Sequence, residues 1–271
     1  MAKILANDGI SASGVEALKS YGYEVSTTNV AQEQLENHIN SNEINVLLVR
    51  SATTVRKDLI DACQSLKIIG RGGVGMDNID VDYVREKGLH VINTPAASSA
   101  SVAELVFAHL YGGVRYLFDA NRQMPLEGDT KFKVLKKNYA AGSELRGKTM
   151  GVIGFGRIGQ ETAKIALGIG MNVVAHDPFI DKAEVKVVLG NGATIDVSIE
   201  MDSFETVLKE ADFISLHVPA QDKPVIGQKE ISMMKEGAGL INAARGGVID
   251  EEALLNALDN GQLSFAGLDT F

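Results

Sequence analysis

Tryptophan is absent from the chain and cysteine occurs once, at Cys63. A single thiol excludes an internal disulfide and fits a reducing cytosol. Its setting, "LIDACQSL", is that of a small core residue rather than a nucleophile. Long hydrophobic runs are missing too. No apolar stretch approaches the ~20 residues of a membrane span, and the opening "MAKILANDG" has no secretory apolar core. Positive charge is the scarcer sign, with 26 Lys and Arg against 35 Asp and Glu. The resulting net charge of −9 removes the basic face that phosphate contacts to nucleic acid require. These absences leave a cytoplasmic protein with a small-molecule partner as the expectation, without membrane or nucleic acid.

What is plentiful is apolar material and glycine. With 45% hydrophobic residues and 28 glycines in 271, the chain has core enough for one large domain or two ordinary ones. One stretch runs against the acidic average. "KFKVLKKNYAAGSELRGK" (131–148) carries six cations against Glu144 alone. It reads as a basic loop, either merely solvated or serving as a local funnel for anions.

Apolar runs alternate with helical periodicity throughout, which predicts parallel sheets wrapped by helices. Strands are expected at 3–7, 23–26, 46–49, 67–70 and 90–93, with helices at 11–20, 31–41, 57–63 and 80–87. A long helix should follow near Ser99, where Ser101 and Glu104 have capping-box spacing. A second series opens at 148–156 and continues with strands at 172–177, 213–218, 239–243 and 264–269. The stretch 186–205 reads as surface loop and turns. The architecture is α/β, with two doubly wound parallel-sheet domains, 1–98 and 99–271, and a seam near Pro95 to Ser99.

The sharpest motif is Gly154-Phe155-Gly156-Arg157-Ile158-Gly159, lying between a predicted strand and a predicted helix. In that context Gly154 permits a tight turn, Gly156 lets a pyrophosphate approach the backbone, and Gly159 lets helix and strand pack closely. The helix N-terminus adds unpaired N–H groups and a positive dipole. Asp177, 18 residues past Gly159, ends the next strand, where its carboxylate can accept from ribose hydroxyls and repel a 2′-phosphate. Together these residues predict NAD binding, preferred over NADP.

Chemistry beyond the cofactor is less sharply written. Arg245 in "NAARGGVID" follows a strand, and its fork of donors suits a carboxylate. "GRGGVGMDNID" (70–80) offers a possible anion nest, and Arg50 in "VRS" stands at another strand end.

Taken together, "VRSATTV", "GRGGVGMDNIDV", "GLHVINTP", "SVAELVFAHL", "ELRGKTMGVIGFGRIG", "HDPF", "LHVP", "LINAARGGVIDEEAL" and "GLDTF" are recognisable in their order. The chain resembles the D-isomer-specific 2-hydroxyacid dehydrogenases over nearly its whole length, most closely their D-3-phosphoglycerate branch. The resemblance implies a flavodoxin-like substrate domain (1–98) and a Rossmann NAD domain (99–271), forming a homodimer. It implies oxidation of D-3-phosphoglycerate to 3-phosphohydroxypyruvate, a step of serine biosynthesis. A hydroxypyruvate/glyoxylate or D-lactate type reductase is the alternative within the class. A corepressor-like NAD(H)-sensing binding protein is the alternative outside it.

By the same resemblance, Arg245 is catalytic and grips the carboxylate and carbonyl of a 2-oxo acid. The loop of Arg71, Gly72, Gly73 and Val74 binds the substrate carboxylate, and Arg50 with Ser51 reaches its phosphate. Ser98 stands where the branch often has asparagine, and Lys137 adds positive charge. Arg157 and Ile158 line the pyrophosphate, His217, Val218, Pro219 and Ala243 flank the nucleotide, and Asp269 holds the carboxamide. The family's catalytic glutamate and histidine, and the segment returning to the first domain, are expected past Phe271. None of the five histidines present matches the catalytic one.

Overall fold

The computed structural model describes all residues from Met1 to Phe271. Two compact units emerge, Met1–Ser98 and Ser99–Phe271.

The first unit runs β1 (Lys3–Ala6), α1 (Ala12–Ser20), β2 (Glu24–Ser26), α2 (Gln32–Asn42), β3 (Val46–Val49), α3 (Lys57–Ala62), β4 (Ile68–Arg71), α4 (Val81–Glu86) and β5 (His90–Asn93). Its strands are all parallel, in the order β2-β1-β3-β4-β5. That is the flavodoxin-like order, in which the chain reverses direction beside β1 and leaves a crevice at the carboxyl ends of β1 and β3. Leu35 and Ile39 of α2, with Leu59 and Ile60 of α3, close one sheet face over Leu5, Leu47, Val49 and Ile69. Cys63 lies in this core, 1% exposed, and burial pushes its thiol up to about 11.

The second unit runs α5 (Ser99–Val114), α6 (Leu117–Tyr139), β6 (Thr149–Ile153), α7 (Arg157–Gly168), β7 (Asn172–His176), β8 (Lys182–Val188), β9 (Thr194–Glu200), α8 (Phe204–Glu210), β10 (Phe213–Leu216), α9 (Gln228–Met233), β11 (Ala238–Asn242), α10 (Glu251–Asp259) and β12 (Leu263–Leu268). The parallel sheet has the order β12-β11-β10-β6-β7. Phe107 and Leu110 of α5 pack on one face, while Val207, Leu208, Ala253 and Leu254 of α8 and α10 pack on the other.

Three expectations need correction. The basic stretch 131–148 is not a loop at its start: α6 carries Lys131, Lys133, Lys136 and Lys137. An i,i+4 pair from Glu127 to Lys131 (3.0 Å) supports that helix, and Tyr116, in left-handed conformation at φ 53°, separates it from α5. Helix α5 begins at Ser99, so Ser101 and Glu104 lie inside it and form no capping box. The stretch 186–205, read as loop, contains most of the antiparallel β8–β9 hairpin. Val185, Val187 and Ile199 face inward there, and Lys182, Glu184 and Lys186 outward. A parallel bridge from Met201 to Ala175 seats its base on the free edge of β7.

Candidate functional site

At the carboxyl end of β6 the chain turns through Gly154 at φ +89°, and a Cβ there would come within 2.7 Å of the His217 carbonyl. A side chain at Gly159 would collide with the Gly154 carbonyl, which is why helix α7 can lie close to β6. Gly156 caps α7 without a side-chain hydrogen bond, and the space above its Cα is open. The first N–H groups of the helix therefore meet no protein acceptor, as a bound anion requires. Arg157 is exposed at this first turn and Ile158 is half-buried.

Asp177, just past β7, fixes the turn. Its Oδ2 accepts from the Phe155 N–H (2.8 Å) and its Oδ1 from the Phe179 N–H (2.9 Å). Each carboxylate oxygen keeps a lone pair for a ribose hydroxyl.

His217 sits beneath the turn. Its Nε2 lies 3.0 Å from Ser215 Oγ and 3.2 Å from Thr162 Oγ1. The Thr162 hydroxyl donates to the Ile158 carbonyl (3.0 Å), so it accepts from His217 and the ring proton is on Nε2. That leaves Nδ1 as a lone pair, buried and without a partner. Burial holds the ring neutral by lowering its pKa to about 4. Val218 is half-buried and Pro219 exposed, while Ala243 is buried beyond β11. Asp269 is exposed beyond β12, with its N–H on the Asn242 carbonyl (3.0 Å). The open helix N-terminus, the anchored carboxylate and the orphaned imidazole nitrogen all suit a dinucleotide.

The Arg245 loop is organised by Asn242, 2% exposed at the end of β11. Its Oδ1 accepts from the Ala244 N–H (3.1 Å), and its Nδ2 donates to the carbonyls of Arg245 (2.8 Å) and Thr270 (3.3 Å). Arg245 Nη1 donates to the Ala244 carbonyl (2.7 Å), which folds the guanidinium back along its own loop.

In the first unit a cavity of about 760 Å³ opens at the carboxyl ends of the strands, lined among others by Asp8, Arg50, Arg71, Gly72, Asn93 and Thr94. Arg50 and Arg71 reach it from adjacent strands, β3 and β4. The Arg71 guanidinium is held by the Gly75 carbonyl and lies 3.9 Å from Asp77. The anion nest is smaller than its glycines suggest. The amides of Gly72 and Gly73 are taken by the carbonyls of Val49 (2.9 Å) and Arg71 (3.0 Å), so Val74 and Gly75 are the loop's remaining donors. Ser51, Gly73, Val74 and Ser98 lie outside the cavity lining. Lys137 sits in the last turn of α6, in the other unit.

Sequence patterns missed Asp8, Asn78, Thr162, Ser215 and Asn242, the polar side chains that hold these loops. Their partners are mostly remote in sequence, and only "LIN", ending a strand on Asn242, offered a signal.

A doubly wound second unit with a glycine turn, an anchored acid and an uncapped helix defines a dinucleotide-binding protein. The comparisons go one step further. Residues 107–271 match the model of the D-isomer specific 2-hydroxyacid dehydrogenase NAD binding domain. A hydroxypyruvate reductase of Thermotoga maritima is 46% identical over 231 residues, spanning 84% of this chain and 70% of that protein. A D-3-phosphoglycerate dehydrogenase of Methanocaldococcus jannaschii is 42% identical over 274 residues, with this chain spanning 49% of its length. The solved D-lactate dehydrogenase from Aquifex aeolicus, complexed with NAD and lactic acid, superposes with a TM-score of 0.72 at 31% identity, covering 100% of this chain and 77% of that one. The chain belongs to the D-isomer-specific 2-hydroxyacid dehydrogenase family, and its second unit contains that family's NAD-binding domain.

Proposed function

We propose that the protein interconverts D-3-phosphoglycerate and 3-phosphohydroxypyruvate with NAD. The observation that carries the substrate choice is Arg50, exposed at the end of β3 and lining the cavity of the first unit, a guanidinium additional to Arg245. A phosphorylated 2-oxo acid carries two anionic groups, and a second guanidinium is of little use to glyoxylate or pyruvate. The D-3-phosphoglycerate dehydrogenases among the relatives support this reading, and the hydroxypyruvate reductase supports the unphosphorylated alternative. Corepressor-like sensing has no support among them.

Hydride exchange at the nicotinamide is the chemistry that NAD supplies when bound. Asp177 would take the ribose hydroxyls, the first turn of α7 the pyrophosphate, and His217 Nδ1 one further donor. Arg245 would polarise the substrate carbonyl and orient its carboxylate, while Arg50 takes the phosphate. Arg71 stiffens the glycine loop whose Val74 and Gly75 amides receive an anion. Lys137 would add positive charge toward the phosphate. The homodimer is also part of the proposal. Leu117, Phe118 and Phe132 of α6 are exposed, and burying them against a second copy would remove apolar surface from water.

The test compares NADH oxidation with 3-phosphohydroxypyruvate, hydroxypyruvate, glyoxylate and pyruvate. Preference for the phosphorylated acid is expected, with Arg50→Ala raising its KM about tenfold or more, since charge-assisted bonds contribute ~1.5–3 kcal/mol. Equal use of pyruvate would overturn the substrate assignment.

A further inference from the structure

Arg50 opens a short loop, Arg50 to Thr53, between β3 and the Val55 bridge, and two side chains from other segments grip its backbone. Asp8, just beyond β1, accepts the Arg50 N–H (2.6 Å) and the Thr53 N–H (3.1 Å) on Oδ2, and the Thr53 hydroxyl (2.5 Å) on Oδ1. Asn78 donates from Nδ2 to the carbonyls of Arg50 (2.8 Å) and Thr53 (2.6 Å). One carboxylate thus satisfies the donors, and one carboxamide the acceptors, of the same two residues. Thr53, 4% exposed, is tied further to Asn7 Nδ2 (2.9 Å).

A clamp serving only the core would stop at Thr53, because Arg50 is exposed and lies outside the buried cluster of the first unit. Here both the N–H and the carbonyl of Arg50 are held, which fixes the direction of its Cα–Cβ bond. The arrangement has a cost: Asn78 Oδ1 is left buried without a partner. Asp8 also lines the cavity, where a bare carboxylate would repel an anion. Burial works against its charge, but the hydrogen bonds from Thr53, Arg50 and Ala52 outweigh it and keep the carboxyl below its ordinary range. The negative charge therefore points at the loop amides instead of at the ligand.

We infer that Asp8 and Asn78 are positioning residues that aim the Arg50 guanidinium at the anionic tail of the substrate, a phosphate or an equivalent dianion. The inference rests on the reading of Arg50 given above. A freely swinging arginine would recover part of the same contact but lose side-chain entropy each time it formed.

The experiment is isothermal titration of the NADH-loaded protein with D-3-phosphoglycerate and with D-glycerate, read as the ratio of the two affinities. Asp8→Asn keeps the size but puts an NH2 donor in place of one of the two oxygens that accept from the loop, and Asn78→Ala removes both donated bonds. Each is expected to lower the ratio about tenfold, as loss of a charge-assisted contact does. Arg50→Ala should lower it at least as far, and Asp8→Asn added to Arg50→Ala should lower it no further. Thermal melts report folding, and if the Asp8 variant fails to fold, the Asn78 variant and its own double with Arg50→Ala carry the test. An unchanged ratio in the clamp variants, with a collapsed one in Arg50→Ala, overturns the inference and leaves the Arg50 reading intact. Additive losses in the double variants also overturn it, because general loosening of the unit would act without Arg50. An Arg50→Ala protein with the wild-type ratio sinks the Arg50 reading itself, and the inference with it.

Discussion

Asp177 shows how one side chain can do structural and recognition work together. Its two oxygens already bind Phe155 and Phe179 amides, so the carboxylate is fixed before any ribose arrives. Asp177→Ala should therefore weaken NADH binding by ~10–100-fold, the worth of a hydrogen bond to a charged group, and narrow the preference for NADH over NADPH. Fluorescence titration of both cofactors measures this. Equal affinity of the unmutated protein for the two would refute the assignment. His217 makes a second prediction. Its pKa falls from 6.5 to about 4 through burial, so between those values the unfolded chain binds a proton that the folded one does not. Stability is then full above pH 6.5 and lost as pH falls toward 4, by about 3 kcal/mol. Urea titrations at pH 7 and pH 4 should show that loss in the natural protein and a clearly smaller one in His217→Gln. Equal losses would mean that the imidazole is not protected from charging. Asp177, Arg245 and the glycines were legible in the sequence because each belongs to a local motif between periodic segments. Asp8 was not: "ANDGIS" reads as a turn, and its main partner, Thr53, lies 45 positions away.

At the scale of elements, periodicity located the sheet strands because each is a short apolar run bounded by turn residues. The hairpin escaped because its charged face dominated the composition of 186–205. Its signal was nonetheless present, since Asn191-Gly192 stands between alternating Val185, Val187 and Ile195, Val197. Helix α6 escaped because the lysine-rich run from 131 reads as a solvated loop, yet the helix extends from Leu117 to Tyr139 and passes through Pro125. The α7 start gives a sharper prediction. Gly159→Ala places a methyl group against the Gly154 carbonyl, a backbone atom with no room to yield. The strand and helix must separate, so NADH binding should be lost and stability should drop by ~1–3 kcal/mol or more. Differential scanning calorimetry with cofactor titration checks both, and a variant that binds NADH normally would show that α7 is not held by close packing. For α6, Phe118→Asp should turn any dimer into monomer by light scattering, and an unchanged mass would remove this helix from the interface.

Across the whole molecule, the buried clusters divide with the chain: one lies within the first unit and two within the second. Residues 99–271 expressed alone should thus fold cooperatively and bind NADH within a few-fold of the 271-residue chain. A fragment that stays unfolded would show that the first unit supplies part of its stability.

The solitary thiol has one more consequence. Cys63 is sealed in the first unit, and its high pKa keeps it as unreactive thiol at neutral pH. The second unit contains no cysteine at all. A disulfide reagent can therefore label the molecule only when the first unit opens, and each labelling event counts one such opening. The protein carries its own clock for the breathing of one half. Adding NADH, which is expected on the other half, would show whether that clock slows when the second unit is loaded.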